Sequence, residues 1–179
     1  MKSKKTTLKV VPVKPKKDLL SSLRHLKNQF GACGLKLSTE DAAMSIEQIG
    51  YWAEFSGNIL STVVKIGGPN ARNDIKQLLP LNIDGLIAPM VESSYGLENF
   101  ISAVRDFTTP MQFERLKKQI NIETETAVRQ LDSILSAPEA KYIDEITIGC
   151  SDLSESMKKP RWDASFIAQV VKVVKKIKQ

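Results

Sequence analysis

Short apolar runs rich in β-branched residues alternate along this chain with longer segments whose apolar residues recur at helical spacing. The runs Gly34–Leu37, Thr62–Ile66, Gly85–Ala88, Gln119–Ile122 and Glu145–Ile148 read as buried strands. Asp18 predicts a helix start, with Leu19, Leu20, Leu23 and Leu26 on one face through Gln29. Thr39 or Ser45 starts the next helix, which carries Ile46, Ile49 and Trp52. Further helices are predicted over Asn70–Leu79, Tyr95–Phe107 and Glu125–Leu135. Asp163 caps a last one bearing Phe166, Val170, Val171, Val174 and Ile177. Regular alternation of strand and helix implies βαβ units and a parallel sheet, because parallel neighbours need a crossover long enough to hold a helix. No G-x-G-x-x-G turn follows a strand, so a dinucleotide fold has no specific support, and Gly67-Gly68 reads as a tight turn.

Length and composition narrow the class. At 179 residues, with 42% hydrophobic and 26% charged, the chain fits one globular domain. Residues 1–17 read as a basic extension, in which Leu8-Lys9-Val10-Val11 has the pattern of a short strand, and residues 18–179 as the domain. The net charge of +6 is concentrated at the two ends. Lysine-rich ends suit nucleic acid or another anionic surface, but no aromatic residue interleaves them, which favours solubilising ends. No apolar run approaches the roughly 20 residues of a membrane span, and no apolar core follows the basic N-terminus. Cys33 and Cys150 have no metal or redox spacing and read as reduced thiols. A cytoplasmic, soluble protein is expected. A single histidine, His25, argues against a multi-histidine metal site or a Ser-His-Asp triad.

In parallel β/α proteins ligands bind where the strands end. Lys36, Glu40 and Asp41 stand at the first predicted strand end and Lys65 at the second; Glu92, Glu123 and Asp152 follow the third, fourth and fifth. Glu123 and Asp152 succeed consecutive strands, so their carboxylates are expected to be neighbours. Two oxygen donors with open positions suit Mg²⁺ or Mn²⁺. The same residues equally fit a turn-capping aspartate and an acid favoured by a helix N-terminus.

Four segments carry a resemblance. Val64-Lys65-Ile66-Gly67-Gly68 with Ala71-Arg72 and Asp74-Ile75, Asp84 to Ser93, Asn121-Ile122-Glu123-Thr124, and Ile148 to Ser156 occur in order and at compatible spacing. Together they resemble the metal-dependent aldolase/citrate lyase β-subunit superfamily of (β/α)8 barrels, over about Gly34 to Met157. The resemblance implies a carbon–carbon lyase or aldolase working through the enolate of a small 2-oxo acid or acyl thioester. It implies Mg²⁺ or Mn²⁺ on Glu123 and Asp152, with Lys65 steadying the substrate oxygen. Lys36, Glu92 and Thr124 would line the pocket. The aldolase branch carries a histidine after the first matched strand, where this chain has Glu40-Asp41, so Glu40 is the candidate substitute base. Family members also continue with further strands after the Asp152 segment. An incomplete barrel with exposed strand edges is therefore expected, and with it a homo-oligomer. The alternative is a non-catalytic family member acting as a subunit or partner-binding protein.

Overall fold

The computed structural model describes residues 17–57 and 59–179; the basic extension before Lys17 and its Leu8–Val11 segment lie outside the described residues. Five parallel strands follow one another across a single sheet in the order of the chain. They are β1 (Gly34–Ser38), β2 (Ser61–Lys65), β3 (Gly85–Ala88), β4 (Lys117–Ile122) and β5 (Glu145–Ile148). The sheet curls into a half-barrel, an incomplete α/β barrel. Because all five strands run the same way, their C-terminal ends share one rim. The register puts Ser38 beside Lys65, Lys65 beside Ile87, Ile87 beside Gln119, and Ile122 beside Ile148.

Strand alternation assigns the two faces. Leu37, Val64, Ile66, Leu86, Ala88, Ile120 and Ile122 all belong to the core shared with the helices, and Ile146 and Ile148 pack against it. Side chains one residue out of phase point to the opposite, concave face. These are Lys36 and Ser38, Val63 and Lys65, Ile87, Gln119 and Asn121, then Glu145 and Thr147. The helix side is a conventional apolar core, whereas the concave side is mostly polar. A closed barrel usually fills its interior with layers of branched apolar side chains.

Helices cover the apolar face. They are α2 (Ile46–Ser56), α3 (Arg72–Leu78) and α4 (Ser94–Asp106), then α5 (Pro110–Arg115), whereas Leu23 of α1 (Lys17–Phe30) packs with Ile59 and Leu60 in a separate small cluster. After β4 come α6 (Glu125–Arg129), α7 (Leu131–Leu135) and a 3-10 turn over Pro138–Tyr142. After β5 come α8 (Cys150–Ser156) and α9 (Ala164–Ile177). Ser45 starts α2 through a capping box with Gln48, and Asp163 caps α9 through the amides of Ser165 and Phe166. Phe100 of α4 is the largest fully buried side chain, and its loss would cost about 3–5 kcal/mol.

Three departures from the sequence pattern are informative. The single helix predicted over Glu125–Leu135 is two short helices meeting at Gln130, yet Ala127, Leu131 and Ile134 all stay buried. Helix α5 was not anticipated, although Thr109 and Gln112 form a capping box around Pro110. Strand β4 begins two residues early, at Lys117, and so carries a lysine into the helix layer. There Lys118 is 4% exposed; its ammonium donates to the Phe113 and Leu116 carbonyls and lies 3.4 Å from the Asp144 carboxylate. Among the described residues no helix is long and apolar enough to cross a membrane.

Candidate functional site

The rim of strand ends gathers acids around one lysine. Lys65 closes β2 with only 5% of its surface exposed. Its Nζ lies 2.7 Å from Glu40 Oε2 and 3.5 Å from Asp41 Oδ2, both in the turn after β1. That turn is built to present the pair: the Ser38 hydroxyl accepts from the amides of Glu40 and Asp41 at 3.0 and 3.2 Å. Burial pushes the Lys65 ammonium toward neutrality. The Glu40 hydrogen bond and the charges of Asp41, Glu40 and Glu123 outweigh it and hold the group above the ordinary lysine range. Asp41 is held below the usual carboxylate range, first by the Ser38 hydroxyl and then, against burial, by Lys65.

Glu123, the residue after β4, is almost fully buried and fixed from three directions. Its Oε1 accepts from the Met90 amide at 2.9 Å, and its Oε2 accepts from Asn121 Nδ2 at 3.0 Å. The third constraint is Gly149, the residue after β5. A Cβ there would stand 2.5 Å from Glu123 Oε2 and 2.6 Å from Glu123 Cβ, so only glycine admits the carboxylate. Met90 reaches its position with φ at +52°, a left-handed conformation that costs a non-glycine residue about 1–2 kcal/mol. Backbone strain is thus placed where it directs an amide at a buried carboxylate. Gly149 is also the N-cap of α8, and Asp152 lies half-buried in that helix's first turn. The chain that touches Glu123 therefore leads within three residues to Asp152.

The remaining predicted residues divide. Thr124 caps α6 and donates its hydroxyl to Glu92 Oε1 at 2.6 Å, joining the ends of β3 and β4 at an exposed edge of the rim. Lys36 lies on the concave face but two residues before the end of β1, in register with Val63, and is exposed. The structure does not bring it into the Lys65–Glu40 cluster. Arg72 is taken up by Asp106 and the Phe107 ring at the far end of α4. Asn121 and Met90 stood inside the matched segments without being singled out. The two-residue alternation from Glu123 was the signal for Asn121; a backbone amide leaves no such signal.

A sequence profile of the HpcH/HpaI aldolase/citrate lyase family matches residues 38–177. The chain belongs to this family. Among solved structures it resembles a citrate synthase, SbnG, at 19% identity and TM-score 0.74, over 87% of this chain and 68% of that one. An HpcH/HpaI aldolase from Desulfitobacterium hafniense DCB-2 aligns at 20% identity and TM-score 0.69, over 86% and 67%. A family protein from Burkholderia cenocepacia J2315 aligns at 15% and 0.69, over 88% and 72%. These likenesses establish the fold, and this chain spans about two thirds of each of the first two. No functionally curated protein matches it significantly.

HpcH/HpaI aldolases are generally dependent on a divalent metal, and the donor set here fits one. Glu123 offers hard oxygen atoms from a prepositioned carboxylate, and Gly149 leaves the approach free of side chain. Asp152 stands three residues after Gly149, in the first turn of α8. Among the described residues no group of three or more His, Cys, Asp or Glu is clustered to hold an ion. Two carboxylates plus water and substrate oxygens is a set Mg²⁺ accepts readily.

Proposed function

We propose that this chain provides the site of a divalent-metal-dependent carbon–carbon lyase or aldolase acting on a small 2-oxo acid or acyl thioester. The observation that carries the reading is Glu123: a 1% exposed carboxylate held by Met90, Asn121 and Gly149 at the rim where such barrels bind ligands. A carboxylate so buried costs several kcal/mol unless hydrogen bonds and a cation compensate it. Glu123 and Asp152 hold Mg²⁺ or Mn²⁺, which when bound polarises the substrate carbonyl.

The other roles follow from the chain's own groups. The Lys65 ammonium has three protons, and Glu40 and Asp41 accept from it on one side. A third proton remains for a substrate oxygen as that oxygen gains negative charge. The group is charged in advance and pays no reorganisation at the moment of reaction. Glu40, partnered by Lys65 yet 40% exposed on its side chain, is the acid placed to take a proton from the substrate. Thr124 and Glu92, bonded to each other at the rim, and Lys36 on the concave face are assigned to substrate contact.

The testing experiment is a calorimetric Mn²⁺ titration of the purified chain beside Glu123→Gln and Asp152→Asn, followed by metal-dependent cleavage of a 4-hydroxy-2-oxo acid. Loss of Mn²⁺ binding in both variants is expected; unchanged binding removes the reading. A second reading, a subunit that works by assembly, is favoured by the five-strand sheet, whose β1 and β5 have no strand on their outer edges among the described residues, and by exposed Ile167, Val171 and Val174 on α9. A homo-oligomer is compatible with both. An enzyme assembles and turns over, whereas a structural subunit assembles with no Mn²⁺ site.

A further inference from the structure

Asp74 lies in the first turn of α3, and its carboxylate belongs to neither the proposed metal site nor the lysine cluster. Its Oδ2 accepts from the Thr39 hydroxyl at 2.7 Å and from the Gly67 amide at 3.0 Å. Thr39 is the residue immediately before Glu40, and Gly67 lies two residues after Lys65. One oxygen atom thus ties the turn that carries the acids to the turn that follows the lysine. The tie is doubled on the other side of Thr39, whose amide donates to the Lys65 carbonyl at 3.0 Å and whose hydroxyl lies 3.3 Å from it.

We propose that Asp74 is a positioning residue that latches the β1 and β2 rim turns together and so sets the Lys65–Glu40 geometry. The inference rests on the roles proposed above for Lys65 and Glu40, but its geometric half stands without them. The physical case is one of degrees of freedom. The turn Thr39–Met44 follows the outermost strand among the described residues, and Ala43 within it adopts φ +46°, a conformation that local sequence does not favour. Glu40 and Asp41 are exposed enough to leave Lys65 for water, and the attraction of a half-exposed pair does not fix such a turn. Hydrogen bonds to a charged carboxylate are about twice as strong as neutral ones. Asp74 is anchored beside Ile75, which is fully buried, so the latch is attached to the core rather than to another loop. No other side chain among the described hydrogen bonds joins these two turns from outside them.

Asp74→Ala removes both acceptors. Asp74→Asn retains a carbonyl oxygen able to accept from Thr39 and Gly67. Thr39→Val removes the hydroxyl and leaves the Gly67 bond. The direct readout is the NMR signal of the Lys65 ammonium, whose protons exchange slowly with water while Glu40 and Asp41 hold them. In Asp74→Ala that exchange should accelerate at least about tenfold, with Gly67 amide protection lost as well. Asp74→Asn should restore most of both, and Thr39→Val should move the Lys65 exchange part-way while Gly67 stays protected. Turnover, where Mn²⁺-dependent cleavage is measured, should fall roughly 10–100-fold in kcat for Asp74→Ala, the range expected of a misplacement near 1 Å. Mn²⁺ titration supplies the separation, since Asp74 touches neither Glu123 nor Asp152. A wild-type chain without Mn²⁺ binding removes the proposed function and leaves the latch to the Lys65 signal. If Asp74→Ala does not fold, Thr39→Val carries the measurement. A folded Asp74→Ala or Thr39→Val chain with wild-type Lys65 exchange overturns the latch.

Discussion

The Lys65 cluster predicts an asymmetry between its two sides. Lys65 is 5% exposed, whereas the Glu40 and Asp41 side chains are 40% and 56% exposed. At an effective dielectric near 20, charges about 4 Å apart attract by about 4 kcal/mol before desolvation. Removing Glu40 withdraws the 2.7 Å partner and leaves a buried ammonium with Asp41 alone at 3.5 Å. Breaking a fully buried pair costs about 3–5 kcal/mol. With Asp41 retained and the acid side wet, Glu40→Ala should cost about 1–3 kcal/mol. Lys65→Met behaves differently. The acids it leaves behind can be hydrated, and the methionine stem occupies the lysine's volume, so its cost should stay below about 1 kcal/mol. Urea unfolding at pH 7, followed by tryptophan fluorescence, measures both. The pH dependence supplies a control. Lys65 binds its proton more tightly folded than unfolded. Its stabilising contribution is therefore complete below the unfolded lysine value of about 10.4 and is lost as pH rises through the higher folded value. The Glu40→Ala deficit should accordingly shrink above pH 10.4, and Lys65→Met should lack the wild-type alkaline fall. A Lys65→Met chain less stable than Glu40→Ala at pH 7 would refute this account of the cluster.

Two further substitutions test how Glu123 is held. Gly149→Ala forces a Cβ into the space of the Glu123 carboxylate and should destabilise the chain by about 1–3 kcal/mol while weakening Mn²⁺ affinity at least tenfold; unchanged affinity in calorimetry counts against a Glu123 ligand. Met90→Gly keeps the amide that Glu123 accepts from and relieves a φ of +52° at a side chain that is 42% exposed. It should be neutral to about 1 kcal/mol stabilising by thermal melting, and a clear loss would mean that the methionine side chain, not its backbone, matters here.

What could be read from the sequence was whatever repeats with a period. The five strands and most of the helices between them follow from apolar spacing, Asp163 fixed the start of α9, and the structure chooses Ser45 over Thr39 as the start of α2. Lys118 shows where periodicity misleads. A lysine reads as the end of a strand, but its ammonium reaches the α5 carbonyls of Phe113 and Leu116 and so enters the helix layer. At the site, the types and order of Lys65, Glu123 and Asp152 were visible. Their setting was not. The Lys65–Glu40 pair joins loops 25 residues apart, and the support of Glu123 comes from a backbone amide and from the absence of a Cβ at Gly149. Neither leaves a local pattern.

The two faces of the sheet draw these observations together. On the helix side, Val64, Ile66, Leu86, Ala88 and Ile122 are fully buried and Ile120 nearly so. Full burial of such aliphatic side chains stabilises by about 1.5–3 kcal/mol each for the larger ones. That layer does not need the concave face for its stability. The concave face is consequently free to carry Ser38, Lys65, Gln119 and Asn121, each less than 10% exposed. Buried polar groups have a net cost unless hydrogen bonds satisfy them. Here the satisfaction runs toward the rim: Ser38 holds the Glu40–Asp41 turn, Asn121 holds Glu123, and Asp74 ties the β1 and β2 turns from outside. The polar interior thus acts as the support of a rim of charged groups. A half-barrel keeps that support because each bond in it lies within one strand-end turn, between neighbouring strand ends, or to α3, the helix that follows β2. None of these bonds depends on closing the ring, so the geometry around Lys65 and Glu123 is a local property of β1 to β5.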